Sequence, residues 1–165
     1  MKRVAALLLV LCCLFSLMGC SAKKVYEADA KTFTNDGLQI ELTESFRAKE
    51  DYEGYTVCYD SAEVAVFVLK EAFTLAEGSE ALSLEEYAGY VYEANASKNP
   101  DDVTTVDGLT CMEYTFDNNG SEYSYFCAMF KGSDAFWLVQ FVCMDTIYEE
   151  YKPYFIEWAK TVKVN

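Results

Sequence analysis

Apolar residues largely fill both alternation sets of the second and third β-rich runs within residues 109–143. Three β-rich runs in this stretch are joined by the turn signals Asn-Asn-Gly (118–120) and Gly-Ser-Asp (132–134), which predict a three-stranded antiparallel meander. A sheet with one solvent-facing side alternates apolar and polar residues along each strand. The pattern therefore predicts a sheet that is covered on both of its faces.

The chain before this meander predicts two more hairpins and a short strand. The hairpin strands span 31–34 with 38–43 and 55–59 with 63–70, and the short strand spans 103–106. Within the second hairpin, the run 64–69 is apolar on both sides, so we place it centrally in the sheet. The polar, irregular stretch 44–54 has Phe46 as its expected anchor in the core.

The first predicted helix follows a capping-box signature. Ser83 and Glu86 have the spacing in which a serine hydroxyl and a glutamate satisfy each other's backbone amides. Behind them, apolar residues recur at helical spacing, namely Leu84, Tyr87, Val91 and Ala94. We expect a helix over 84–97 that packs on one face of the sheet.

A second helix is predicted near the C-terminus. Thr146 and Glu149 repeat the capping-box spacing, and Pro153 is expected to kink the helix or to split off a short first turn. The apolar stripe consists of Tyr151, Phe155, Trp158 and Val162. This stripe suits the opposite face of the sheet.

These elements together predict the fold class. We expect an α+β fold, in which an antiparallel β-sheet of about six to eight strands is covered by helices on both faces as an α/β/α sandwich. The elements fill residues 31–165 as a single domain, with no internal repeat. A domain of this size buries roughly two-thirds of its unfolded surface, which is enough for an independent core.

The first 20 residues have the form of a secretory signal. Lys2 and Arg3 precede an apolar run over 4–18, which is shorter than the about 20 apolar residues that a transmembrane helix needs. The run ends in Leu-Met-Gly-Cys (17–20), which resembles the bacterial lipoprotein signal. An ordinary cleaved signal with an incidental cysteine is the alternative.

The lipoprotein resemblance implies a defined N-terminus and location. Cleavage between Gly19 and Cys20 would remove a signal peptide at 1–19, and Cys20 would carry diacylglycerol at the head of a lipidated tether over 20–30. This implies a protein on the extracytoplasmic side of the cell membrane, bound to membrane lipid through that anchor. Ser21 would suit sorting to the outer membrane in a Gram-negative cell.

The charge balance excludes several partners. The chain has a net charge of −14, and loss of Lys2 and Arg3 with the signal would bring it to −16. So acidic a surface argues against nucleic acid and against close contact with anionic headgroups. Lys23 and Lys24 are the local exception, because they could sit at the headgroups behind the anchor. The excess of acidic residues either keeps the protein soluble or forms an acidic binding surface.

Four cysteines lie in predicted strands of the mature chain: Cys58, Cys111, Cys127 and Cys143. They are either small buried apolar residues or disulfide partners, which an extracytoplasmic location permits. A three-residue loop at 118–120 would set Cys111 opposite Cys127 and allow a disulfide between them, whereas a slip of one residue would place them on opposite faces. The chain has no His and no close cysteine pair, so we predict no metal site.

The sequence offers little for catalysis. Without His, neither a Ser-His-Asp triad nor a Cys-His pair is possible. The adjacent acids at 85–86, 101–102 and 149–150 point in different directions on a helix or loop, so they suit caps and solvent better than a shared substrate. We expect a protein that is not an enzyme and has no cofactor beyond the diacylglycerol on Cys20.

The tyrosines are the most distinctive candidates for binding residues in the sequence. Tyr90 and Tyr92 fall off the first helical stripe, and Tyr148 lies near the start of the second helix. Exposed tyrosine rings suit contact with protein or glycan, so these three are the candidate binding residues. Tyr87 and Trp158 lie on the stripes themselves and are expected in the core.

The order of elements resembles the PsbP-like fold. The resemblance covers about residues 31–165 and includes the strand sequences DGLTCMEYTF and FWLVQFVC. That fold is shared by the extrinsic P subunit of photosystem II and a Ran-binding nuclear-import factor, and it implies an antiparallel sheet sandwiched between helices. The functions of those proteins do not carry over, because their partners are foreign to a bacterial lipoprotein.

Two functions are compatible with these features. The first is a non-catalytic accessory module that is anchored in the membrane and binds an envelope protein. The alternative is a small-ligand carrier with a pocket between sheet and helix. An apolar cavity of several hundred Å³ would favour the carrier.

Overall fold

The computed structural model describes residues 23–50, 52 and 54–165. The predicted signal peptide, the cleavage site at Gly19 and the lipidation site at Cys20 lie outside the described residues. No helix in the described part of the chain is long and apolar enough to cross a membrane.

A seven-stranded antiparallel sheet forms the centre of the domain, in the order β3-β4-β5-β9-β8-β7-β6. Its strands are β3 (Arg47–Glu50), β4 (Val57–Asp60), β5 (Val64–Ala72), β6 (Thr104–Val106), β7 (Leu109–Asn118), β8 (Ser121–Lys131) and β9 (Ala135–Met144). The predicted meander is β7-β8-β9. As predicted, the apolar run at 64–69 lies inside the sheet, because β5 pairs with β4 and with β9.

A smaller antiparallel sheet has the order β1-β2-β10. It consists of β1 (Ala30–Asn35), β2 (Leu38–Thr43) and β10 (Lys163–Val164). The first predicted hairpin therefore exists, but it belongs to a separate sheet. Its inward residues Ile40 and Leu42 join the same core as Phe46, which is fully buried as expected.

The two helices cover opposite faces of the seven-stranded sheet. Helix α1 (Leu84–Ala94) packs on the face that carries Met112 and Leu138, which we call the α1 face. Helix α2 (Tyr148–Lys160) and the three-stranded sheet pack on the other, the α2 face. The predicted α+β class with helices on both faces is confirmed.

The β7-β8 hairpin corrects the predicted register. Its loop has two residues, Asn119 and Gly120, both with positive φ (56° and 87°), as a type I′ turn requires. Met112 therefore lies opposite Cys127, and Cys111 lies opposite Ala128. The predicted Cys111–Cys127 disulfide is wrong, because these side chains point to opposite faces, and all four described cysteines are free.

The helix caps differ between α1 and α2. Ser83 Oγ accepts from Glu86 N at 3.1 Å and Glu86 Oε2 accepts from Ser83 N at 2.7 Å, so the first capping box is confirmed. The second is wrong: a 3₁₀ turn over Asp145–Ile147 precedes α2, and its N-cap residue makes no side-chain hydrogen bond. Helix α2 runs through Pro153, which lies in its second turn.

Residues 24–29 are packed on the domain, although the sequence predicts them as tether. Val25–Glu27 form a 3₁₀ turn, and Val25 is buried. The Val25 carbonyl accepts a hydrogen bond from Thr43 Oγ1 at 2.8 Å. The reason is that Val25 and Tyr26 give this otherwise polar segment two large side chains, which both pack against the core on the α2 face.

Candidate functional site

Helix α1 leaves part of its sheet face uncovered. Its buried residues Tyr87, Ala88 and Val91 pack near the end of the sheet where β5 finishes and β9 begins. The opposite end of the same face, where β5 begins and β9 finishes, has no helix above it among the described residues. Two different surfaces result, a pocket beside α1 and an open aromatic surface beyond it.

The pocket beside α1, which we call the helix pocket, has a volume of about 320 Å³ and mostly apolar walls. It lies between α1, the end of β5 and the loop that leads to α1. Its lining residues are Glu71, Ala72, Leu75, Ala76, Ser79, Leu82, Tyr87, Tyr90, Val91, Ala94 and Phe136. Apolar walls with a few polar groups are typical of ligand pockets.

The floor of the helix pocket is a stacked ring pair. Tyr87 and Phe136 lie parallel with centroids 4.2 Å apart. The Tyr87 hydroxyl donates to a Glu71 carboxylate oxygen, and burial together with this hydrogen bond raises the pKa of Tyr87 well above its ordinary range. The phenol therefore stays protonated and supplies a fixed polar group at the base of the pocket.

The rim of the helix pocket exposes two large side chains. Leu75 is 77% exposed and Tyr90 is 63% exposed. Lys131 Nζ donates to the carbonyls of Glu80 and Leu82, at 2.9 and 2.6 Å, and so ties the rim loop to β8. The apolar rim is therefore held in place and accessible to a partner.

The open surface of the α1 face, which we call the open half, is a shallow aromatic area with a cavity volume of about 680 Å³. Its aromatic and apolar lining residues are Tyr52, Ala62, Val64, Ala65, Phe67, Phe116, Tyr123, Tyr125, Val142, Cys143, Met144 and Ile147. Phe116 and Met144 are the most exposed of the large side chains among these, at 43% and 46%. Phe67 is flanked by the rings of Tyr52 and Tyr55, at centroid distances of 5.8 and 4.9 Å.

A third concavity, the polar cleft, follows the edge of β7 beyond the short strand β6 and has a volume of about 500 Å³. The Glu113 carboxylate accepts hydrogen bonds from the Tyr148 hydroxyl and from Lys152 Nζ, which lies 2.8 Å away. Asp145 accepts from Ser124 Oγ at 2.6 Å. Protein donors already form hydrogen bonds with both carboxylates. Either carboxylate would therefore have to break such a hydrogen bond before it could act as a general base.

Lys98 closes the other side of the polar cleft. Its Nζ lies 4.6 Å from the centroid of the Tyr114 ring and donates to Asn95 Oδ1 at 2.9 Å. Burial lowers the pKa of Lys98. No group of three or more potential ligand side chains suited to a metal occurs among the residues described. The cleft suits recognition of a small polar group by hydrogen bonding.

The three tyrosines predicted as binding residues differ in how far they are exposed. Tyr90 is exposed and lies on the rim of the helix pocket, whereas Tyr92 is half-buried against the core beneath α1. Tyr148 is only 7% exposed, so its prediction as a surface residue is wrong. The reason is that α2 begins at Tyr148 and turns its ring toward Phe155, 6.1 Å away.

Sequence reasoning missed the other exposed apolar residues. Leu75 lies outside every predicted strand and helix, and a lone leucine there carries no periodic signal. Phe116 lies on the first run of the predicted meander, and Met144 ends β9 one residue beyond that meander. Both residues lie at strand ends and away from any predicted helix, and this position is the feature of the sequence that indicates their exposure.

Chains of similar layout occur among solved structures. The chain is similar to the cyanobacterial PsbP protein (CyanoP) of Synechocystis, with 12% identity and a TM-score of 0.46 over 91% of this chain and 99% of that one. It is similar to LpqN, involved in cell envelope biogenesis of Mycobacterium tuberculosis, with 9% identity and a TM-score of 0.47 over 83% of this chain and 91% of that one.

A Bacteroides thetaiotaomicron structure has 14% identity and a TM-score of 0.49 over 82% of this chain and 48% of that chain. No family model matches the sequence, and no curated protein matches it. The α+β class follows from the described sheets and helices themselves.

Proposed function

We propose that this chain is an extracytoplasmic lipoprotein whose domain is a non-catalytic binding module for an envelope protein. Diacylglycerol on Cys20 would hold it to the membrane, and the helix pocket would receive an apolar segment of the partner. The observation that carries the proposal is the accessible apolar rim of Leu75 and Tyr90 over a preformed pocket. The signal-like residues 1–20 support the location.

A binding role fits the chemistry of the pocket better than catalysis does. Tyr87 is held protonated by burial and Glu71 already accepts its hydrogen bond, so neither group is poised to take a proton from a substrate. Tyr90 offers a rigid ring with a polar tip, the kind of side chain that is enriched at protein interfaces. The pocket volume of about 320 Å³ suits one or two apolar side chains of a partner.

The second candidate function is a carrier of a small apolar ligand in the same pocket. The apolar lining between sheet and helix favours it. Native mass spectrometry of the purified protein distinguishes the two: a carrier retains an extracted molecule of defined mass, and a Tyr90→Ala variant loses it.

The anchor is tested first. The full-length chain and a Cys20→Ser variant are expressed in the same bacterium, and the membrane pellet and the soluble fraction are compared. We expect the parent chain in the pellet, with the mass of an acylated cysteine on its N-terminal peptide, and the variant in the soluble fraction. Soluble, unacylated parent chain with Cys20 intact would contradict the anchor.

The binding site is tested by photo-crosslinking in the native envelope. A crosslinking amino acid replaces Tyr90 on the pocket rim, and a matched one replaces Glu85, which is exposed on α1 but does not line the pocket. We expect one defined crosslinked protein from position 90 and none from position 85. The same pattern at both positions, or none at position 90, would contradict the proposal.

A further inference from the structure

The N-terminal segment is fastened to one end of the domain. Lys24 Nζ lies 3.3 Å from carboxylate oxygens of both Glu63 and Glu150. Val25 is buried, and the Tyr26 ring stacks on Tyr154 with centroids 4.1 Å apart. These contacts fix the point at which the chain leaves the domain toward Cys20.

The distance between this point and the proposed anchor is short. Lys24 follows Cys20 by four residue steps, and a fully extended chain spans at most about 3.3–3.6 Å per residue, so the reach is about 14 Å. An acylated Cys20 would therefore hold the end of the domain around Glu63 close to the lipid headgroups. This step rests on the proposed function, because it needs the lipid anchor.

The open half lies at this same end. Glu63 and Val64 line it, together with Phe116, Tyr123 and Met144. The pairing of Val64 with Cys143, of Tyr123 with Met144 and of Phe116 with Tyr123 brings the ends of these strands into one row. The exposed aromatic surface is thus next to the place where the tether leaves the domain.

We infer that the open half is a second membrane contact, which rests on the neutral headgroup–acyl boundary of the bilayer that holds the Cys20 anchor. Tyrosine rings with an apolar body and a polar tip suit this boundary, and Phe116 and Met144 supply apolar side chains that can enter it. A separate protein on this surface would have to fit into a gap of about 14 Å between domain and lipid.

The contact would orient the whole domain. Strand β5 runs from Val64 in the open half to Ala72 at the helix pocket, and eight steps of about 3.4 Å place these ends about 27 Å apart. With the open half on the bilayer, the helix pocket lies at the far end of the same face, about 27 Å along the strand from the lipid contact. The net charge, −16 after loss of Lys2 and Arg3 with the signal, opposes binding to anionic lipid, so apolar contact and the anchor must hold the domain there.

The test measures the surroundings of a dye at each end of the α1 face. Acylated protein carrying Asn118→Cys, at the open half, or Ala76→Cys, at the helix pocket, is labelled with an environment-sensitive fluorophore and reconstituted into phosphatidylcholine vesicles. We expect a blue shift, and quenching by nitroxide lipids, for the dye at position 118 only. A water-like emission at position 118, or equal shifts at both positions, would overturn the inference.

Matched variants show which side chains make the contact. Phe116→Ser with Met144→Ser removes the exposed apolar groups of the open half, and we expect loss of the blue shift at position 118. Leu75→Ser with Tyr90→Ser removes two groups of comparable or greater exposure at the helix pocket and should leave the shift unchanged. The reverse result would overturn the inference, and circular dichroism checks that both variants are folded.

Failure of the anchor is distinguished from failure of the contact. The acyl mass on Cys20 is measured before reconstitution, so an unmodified cysteine contradicts the proposed function alone. In that case the Cys20 thiol of the chain from residue 20 onward is coupled to a synthetic diacyl lipid, and the environment-sensitive dye at position 118 or 76 is attached by a different chemistry. The orientation measurement then proceeds with the same expected shift and the same contradicting result.

Discussion

The two faces of the seven-stranded sheet carry similar apolar patterns but differ in their covers. On the α2 face, Trp137, Val139 and Phe141 of β9 are fully buried beneath α2 and the three-stranded sheet. On the α1 face, burial is complete near Leu138 but gives way to the exposed Phe116 and Met144. Apolar alternation thus predicts which residues point to each face of the sheet. It does not show whether a second layer covers those residues.

The difference follows from the lengths of the elements. Helix α1 has 11 residues and rises about 1.5 Å per residue, so it is about 16 Å long. Strand β8 also has 11 residues but extends about 3.4 Å per residue, or about 37 Å. One helix of this length cannot cover such a strand, whereas a helix together with a second sheet can.

The largest expected effect tests the closed α2 face. Phe155 is fully buried between Phe141 and Trp158, so Phe155→Ala leaves a cavity and should cost about 3–5 kcal/mol of unfolding free energy. The matched change Phe116→Ala in the open half should lie within about 0.5 kcal/mol of the parent chain. Urea denaturation measures both values, and similar costs for the two variants would contradict the contrast between the faces.

An intermediate effect concerns alkaline pH. Burial raises the pKa of Tyr148 on the α2 face and of Tyr87 and Tyr114 on the α1 face. The unfolded chain loses these phenol protons first, at about pH 10, so the contribution to stability is complete below that pH and is lost as the pH rises beyond it.

Spectrophotometric titration with circular dichroism measures this effect. We expect the phenolate absorbance of these three tyrosines to rise together with loss of structure. The Tyr87→Phe or Tyr148→Phe variant should lack the absorbance rise of the one tyrosine that it replaces. Tyr87 lies under a single short helix, so we expect its hydroxyl to lose its proton at a lower pH than the hydroxyl of Tyr148. Full ionisation of Tyr148 in the folded protein would contradict its burial.

The smallest effect concerns the cap of α1. Ser83→Ala removes the acceptor of the Glu86 amide and should cost about 1 kcal/mol. Because α1 alone covers its half of the face, hydrogen exchange should rise over Leu84–Ala94 while Tyr148–Lys160 stays protected. Ser97→Ala, an exposed serine after the helix, is the control that should change neither. Equal loosening of both helices would show that the faces are not independent.

Much of the fold follows from local signals in the sequence. The strands of the meander, their apolar faces and the Ser83–Glu86 cap are visible because each rests on spacing within a few residues. The separate three-stranded sheet is not visible, because the pairing of Lys163 with Gln39 joins distant parts of the chain. The hairpin register depends on whether one asparagine, Asn118, belongs to the strand or to the loop.

The candidate site is only partly visible in the sequence. Tyr90 stands out because it falls off the apolar stripe of α1, and the structure places it on the pocket rim. The floor of the pocket needs Phe136 to meet Tyr87 across 49 residues, which no local pattern reveals. Tyr148 misleads because its position before the stripe suggests exposure, whereas the first turn of α2 faces the core.

The four cysteines in the described part of the chain are unpaired, and their burial determines how the domain reacts with oxidants. Cys58, Cys111, Cys127 and Cys143 are buried, and burial raises the pKa of each thiol, to about 11 for Cys58 and to about 12 for Cys127 and Cys143. Peroxides and thiol–disulfide exchange enzymes attack thiolates, which are scarce at such sites. The described domain therefore folds without a disulfide bond among these four cysteines, and peroxide leaves its interior sulfur chemistry unchanged.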